Sequence, residues 1–265
     1  MNPTLLLHDL RRILPMWTAL TAVTAAYIAV VVAMYDPRAN EGLDALVATM
    51  PELFAAFGMD GASATLSGFM VDYLYGFLLV LLPMVMVVAA VHGTLIRPIE
   101  TGSMAYLLAS PHSRRTIAGS ALASVVASSA AMAVAVSVTE AVCVAVRAPG
   151  DVALADIAAM NLGLLALWLS MAGVCALSAC AIGNASAALW TGAGLCAAQF
   201  LIRMLAQADD GMDVLRCATA LTLFDPEGLA AGEGPAVCGA VALAVAGAAM
   251  CVAAVEVFRR RDLSL

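Results

Sequence analysis

Long apolar runs alternate with short polar segments along this chain. Six of the runs, at about 14–35, 71–93, 116–146, 157–182, 186–206 and 235–258, are predominantly apolar. A helix needs about 20 apolar residues to cross the hydrocarbon of a bilayer. Each run therefore predicts a transmembrane helix, and residues 1–265 read as a single all-α membrane domain. The third run, about 31 residues, would be about 46 Å long as a helix and must tilt or protrude. Pro83 predicts a kink in the second.

The segments between the runs carry patterns of their own. Leu43, Leu46, Val47 and Met50 follow i, i+3, i+4, i+7 spacing, one apolar face of a short helix. Pro51 opens a second short piece through Gly58. Leu221–Leu229 supplies a third, with turn residues at Asp225, Pro226 and Gly228. All three predict short helices lying at a membrane surface. Between the second and third runs, Pro98 and Pro111 bracket about three helical turns, with Arg97 outside one proline and Arg114 and Arg115 outside the other. Proline suits a first helical turn, Glu100 suits the N-terminal dipole, and Pro111 ends the helix. Met104, Leu107 and Leu108 give this helix a small apolar face with no evident mate in the chain, which favours docking on another protein.

Composition agrees with the pattern. The chain is 63% hydrophobic and 12% charged, with mean hydropathy +0.98. A soluble domain is roughly half apolar and about a quarter charged. The start reads as an uncleaved first span, because His8, Asp9, Arg11 and Arg12 precede a full-length run with no small-residue cleavage site. Trp17, Trp168 and Trp190 are candidate interfacial anchors. The seven cysteines form no CxxC and fall mostly in apolar runs, where a thiol acts as a small apolar group; a Cys217–Cys238 disulfide stays open.

Charge orients the spans. With the N-terminus inside the cell, the inner segments hold Arg11, Arg12, Arg97, Arg114, Arg115, Arg259, Arg260 and Arg261, and the outer ones Arg38, Arg147, Arg203 and Arg216. The bias puts both termini in the cytoplasm. Acidic residues gather outside, so the net charge of −7 belongs to the outer surface and is not the mark of an acidic soluble partner; no nucleic-acid partner is expected.

Candidate chemistry is sparse. No HExxH, GxSxG, paired intramembrane carboxylates or P-loop occurs, so the sequence offers no catalytic residues, no metal ligands and no ATP site of its own. Charged groups inside membranes are functional candidates by default. Glu140 sits near the outer end of the third span with Arg147 two turns on, either as an interfacial carboxylate with an ion partner or as the lining of a substrate path. Gln199 and Arg203 share a face at i, i+4 and either snorkel or line a cavity. Glu256, just before Arg259–Arg261, reads as a local ion pair.

Taken in order, these pieces resemble the permease subunits of ABC-2 type ABC transporters. The resemblance rests on Glu100-Thr101-Gly102-Ser103, Leu107-Leu108-Ala109-Ser110-Pro111 and Ser113-Arg114-Arg115. It extends to Leu223-Phe224-Asp225-Pro226 with Gly232, to Asn2-Pro3-Thr4 through Arg11-Arg12 as an amphipathic N-terminal helix, and to Phe258-Arg259-Arg260-Arg261-Asp262-Leu263. It departs from the family at Arg97-Pro98-Ile99, where a longer charged run is usual. The resemblance implies a bacterial cell-membrane protein that pairs with a second permease copy or a homologous one. It implies a coupling helix around Glu100–Ser110, including Met104, Leu107 and Leu108 and joined by Arg114 and Arg115, docked on a separate cytoplasmic ATPase that binds ATP-Mg. The implied cargo is an amphipathic drug, antimicrobial peptide or lipid-like molecule. The alternative is a membrane partner of an ATPase that acts in signalling or resistance without moving solute; an intramembrane enzyme lacks the groups it would need.

Overall fold

The computed structural model describes residues 3–35, 49, 66–208 and 219–261. The surface helices expected over 43–50 and 51–58, Cys217 with its pairing, the Leu108 side chain and the terminal Asp262-Leu263 lie outside what it describes.

The described residues form helices and no strand. In chain order they are α1 (Pro3–Met34), α2 (Leu66–Glu100), α3 (Met104–Ala109), α4 (Arg114–Arg147), α5 (Leu154–Ala181), α6 (Ala185–Ala208), a 3-10 turn (Ala220–Leu223), α7 (Pro226–Ala230) and α8 (Gly234–Arg260). Six of these, α1, α2, α4, α5, α6 and α8, are long and apolar enough to cross a membrane. The chain is a multi-pass membrane protein.

Helix starts follow side-chain capping. Ser113 accepts from the Thr116 amide to open α4, Asn184 from the Ala187 amide to open α6, and Asp225 from the Gly228 amide to open α7. Each satisfies an amide that the first helical turn leaves unpaired.

Two boundaries differ from expectation. The amphipathic N-terminal helix and the first span are one continuous helix, α1, even though Pro15 lies inside it. The second span is longer than its apolar run and is segmented, with π-helical turns at Val71–Tyr75 and His92–Ile96. Between the first π-turn and the next regular segment, Phe77 takes φ −131°, ψ −64°. Pro83 stays inside the α-helical segment Leu78–Val91, so the irregularities of α2 fall elsewhere than at its proline.

Helix α5 is the hub. It packs against α8 most extensively and also against α6, α4, α2 and α7. Its most apolar stretch is 72% buried within the protein, against 22% for α1, α6 and α8. Small residues bring α5 and α8 together. A Cβ at Gly247 would stand 2.7 Å from the Leu169 carbonyl group, and one at Gly173 would stand 2.8 Å from Met250 Cβ. Without a hydrophobic drive between helices in lipid, such backbone approach supplies the packing attraction. Trp168, expected as an interfacial anchor, is instead fully buried on α5, and its Nε1 donates to Leu79 O at 3.0 Å. Trp17 Nε1 donates to Ser128 O, and Trp190 is 72% exposed. The outward face of α4 carries Val134, Val138, Val142 and Val146 every four residues, all exposed. In water this stripe would be a liability; in a bilayer it is the lipid-facing surface.

At one end of the bundle arginines tie the start of α4 to the ends of α5 and α8. Arg114 Nη1 donates to Arg261 O at 2.6 Å. Arg261 Nη1 donates in turn to Ala179 O and Cys180 O in the last turn of α5, a cation on carbonyls that α5 leaves unpaired. Glu256 accepts from Arg115, Arg259 and Arg260. The ion pair expected locally at Glu256 therefore also reaches across to α4, and it does not include Arg261.

Candidate functional site

Two features outside ordinary packing stand out, one at the arginine end and one inside the bundle.

At the arginine end the expected three-turn helix is broken. Helix α2 ends at Glu100, Thr101–Ser103 turn, and α3 covers only Met104–Ala109. Gly102 has φ +70°, a left-handed conformation that costs a residue with a side chain about 1–2 kcal/mol. Thr101 Oγ1 donates to Arg97 O at 2.9 Å, and Ser103 Oγ to Pro98 O at 3.3 Å. These bonds fasten the turn to the end of α2. The apolar face expected to be free is not free. Met104 is 1% exposed within this chain's own core, and Leu107 packs against that core. The bare group is Tyr106, 83% exposed, and Glu100, Thr101, Gly102 and Ser103 are exposed beside it. Glu100 lies 4.0 Å from His92. Arg114 and Arg115, expected at a partner contact, hold Arg261 O and Glu256 instead, although Arg115 keeps 60% of its side chain exposed. The segment is thus anchored on one face and open on the other.

Inside the bundle, Glu140 on α4 is fully buried. Tyr75 Oη donates to Glu140 Oε2 at 2.9 Å. Asn161 Nδ2 approaches Glu140 Oε2 at 2.5 Å, Tyr75 Oη at 2.9 Å and Ile157 O at 3.0 Å. The triad joins α2, α4 and α5, and Tyr75 closes the first π-helical turn of α2. Such turns inside helices are frequent at functional sites. Arg147 does not pair with Glu140; it donates to Ala33 O at 2.9 Å. Seven residues put Arg147 about 10 Å further along α4, at the helix end.

Arg203 on α6 is only 7% exposed, so it does not snorkel. Its Cζ lies 5.8 Å from the centre of the Phe224 ring, and that ring lies 6.4 Å from the Tyr75 ring. Phe77 and Phe200 pair at 5.5 Å between α2 and α6. Gln199 is half-buried, and its backbone carbonyl accepts from Thr219 Oγ1. Aromatic rings therefore stand between the carboxylate and the guanidinium, and the two form no ion pair. Glu140 Oε1, Asn161 Oδ1 and Arg203 Nη1 are buried without a hydrogen-bond partner. Three orphaned polar atoms on neighbouring helices are a concentration that packing alone does not call for.

The sequence pointed to Glu140 and Arg203 but missed Tyr75, Asn161 and Phe224. Asn161 had a usable signal, a strongly polar amide in the middle of an apolar run, which in a membrane turns inward. Tyr75 had none, since a tyrosine near the end of a span reads as an interfacial anchor. Among the described residues no group of three or more His, Cys, Asp or Glu is placed to hold a metal ion. Compared with known proteins, the chain matches no family model and no curated protein.

Proposed function

We propose that this chain is the membrane-spanning permease subunit of an ATP-driven exporter, working with a separate cytoplasmic ATPase and a second permease. The observation that supports it most is the segment from Glu100 to Ala109. It is pinned to the bundle by Met104 and Leu107, it presents Tyr106 outward, and it lies between two spans at the arginine-rich end. A short element anchored on one face and bare on the other transmits a push from a partner to the spans it joins. One α-helical turn before it, Arg97–Glu100, comes the π-helical turn His92–Ile96, a place where α2 departs from regular helix.

The interior polar cluster supports a path for amphipathic cargo. Among the described residues, fixed charge at depth is confined to Glu140 and Arg203, and the walls between them are aromatic. A small, strongly charged ion would need paired groups to replace its hydration. An amphipathic drug, peptide or lipid-like molecule needs an apolar wall with few polar contacts. Glu140 is the acceptor for a cationic group and Arg203 the donor for an acidic one.

The test is co-purification of the chain with an ATPase from its own cells, followed by ATP-dependent vectorial transport in proteoliposomes. An ATPase that associates without any solute movement would favour a signalling partner. Failure to bring down any ATPase would end the proposal.

A further inference from the structure

At the arginine end, against the Thr101–Ser103 turn and α3, the helices α1, α2, α3 and α4 enclose a cavity of about 210 Å³. At about 30 Å³ per water it has room for roughly seven waters or one compact polar group. Its lining is mixed. His8, Asp9 and Arg12 enter from α1, Thr94 from α2 and Ser103 from the turn before α3, over an apolar floor that includes Leu5 and Ile117.

We propose that this cavity binds a phosphoethanolamine group, and that its source is a phospholipid of the surrounding leaflet. The inference is independent of the exporter proposal.

Three observations carry it. First, the cavity offers both signs of charge. Arg12 provides a planar donor for phosphate oxygens, and Asp9 a carboxylate for an ammonium. Both are half-buried, and among the described residues they form no ion pair with each other. Second, the hydroxyls are set as acceptors. Thr94 Oγ1 donates its hydrogen to Ala90 O at 2.8 Å and Ser103 Oγ donates to Pro98 O at 3.3 Å. Their remaining lone pairs suit the N–H groups of a primary ammonium. A trimethylammonium has no such hydrogens and is bulkier.

Third, the depth is right. Ile117 lies in the first turn of α4, at the start of its apolar run, and Arg114 and Arg115 lie just outside that run. The cavity therefore opens where headgroups lie, and its floor lies where acyl chains begin. Basic pockets between transmembrane helices on this side are known lipid-headgroup sites; the carboxylate here narrows the choice to a zwitterion with a primary amine.

The experiment uses the full chain, purified and placed in nanodiscs of phosphatidylcholine containing a minor fraction of phosphatidylethanolamine. Native mass spectrometry then identifies the lipid that stays bound. Enrichment of phosphatidylethanolamine over its bulk fraction is expected, with a several-fold loss of that enrichment in Asp9→Asn/Arg12→Gln. The variant Leu5→Trp fills the cavity without touching a charge and should lose the enrichment too, so one misfolded variant does not decide the matter. Arg11→Gln, on the exposed side of the same turn, should retain it. Equal retention of the two lipids, or enrichment that survives both cavity variants, overturns the proposal. Complete displacement by soluble glycerophosphoethanolamine keeps the chemistry but overturns the lipid as its source.

Discussion

A carboxylate clamped between Tyr75 and Asn161 is exposed to large effects from small changes. Glu140→Ala removes the acceptor of the Tyr75 hydroxyl and leaves that buried donor unpaired, while Asn161 Nδ2 keeps Tyr75 Oη and Ile157 O. An unsatisfied buried donor costs about 1–3 kcal/mol, while interhelical hydrogen bonds measured in membranes average nearer 0.6 kcal/mol. We expect Glu140→Ala to destabilise the bundle by about 1–3 kcal/mol. Glu140→Gln keeps an acceptor in place and should cost less than half as much. Unfolding in mixed detergent micelles measures both. Equal losses would mean that the charge, not the hydrogen-bond geometry, holds the triad. The carboxylate was legible in the sequence because ionisable groups in apolar runs are rare. Its true partners were not, because a residue seven places along the same helix looked like the nearest ion partner. The Tyr75 and Asn161 contacts span 65 and 21 residues, beyond the reach of any local spacing rule.

At the scale of elements, the helix between Pro98 and Pro111 shows why proline brackets mislead. Thr101-Gly102-Ser103 is itself a turn signal, and the left-handed Gly102 divides the segment in two. Met104 and Leu107 of the second piece have a mate within the chain. Two substitutions two residues apart should therefore behave differently. Tyr106→Asp changes an 83% exposed side chain. It should leave unfolding within about 0.5 kcal/mol of wild type while lowering ATPase association and transport. Met104→Asp puts an unpaired carboxylate at a 1% exposed position and should lower stability by several kcal/mol. If Tyr106→Asp leaves association and transport unchanged, α3 is not the docking element.

The α5–α8 crossing supplies a second contrast. A Cβ at Gly247 meets the Leu169 and Ser170 backbone at 2.7–2.8 Å, whereas one at Gly194 meets nothing within 4 Å. Gly247→Ala should cost about 1–3 kcal/mol and Gly194→Ala nothing or less than nothing, measured by the same unfolding assay. Both glycines were visible as small residues; only the crossing of two particular helices distinguishes them.

For the whole molecule the open quantity is orientation, and arginine placement argues it. The excess at one end is more than a tally of loop residues. Arg114, Arg115, Arg259, Arg260 and Arg261 gather where the first turn of α4 meets the last turns of α5 and α8, with Glu256 shared among three of them. Moving that end across a bilayer would carry the whole cluster through hydrocarbon. At the opposite end, Arg147 is tied to Ala33 O and Arg203 is buried under Phe224. Arg203 is held inside the protein rather than presented to a membrane surface, whereas Arg147 stays exposed. The effective bias is therefore steeper than the raw counts of eight and four arginines suggest. The six spans among the described residues, an even number, return the C-terminus to the side of the N-terminus, and the Arg114–Arg261 bond seats the C-terminal end of α8 against the start of α4. We expect a cytoplasm-dependent reporter fused after Leu265 to be active, and an alkaline phosphatase fusion at the same point, which needs export, to be silent. A second phosphatase fusion after Pro149, in the turn between α4 and α5, should be active. Activity of the Leu265 phosphatase fusion would invert the molecule. It would place Tyr106 outside the cell, beyond the reach of any ATPase, and would remove the exporter proposal together with the topology.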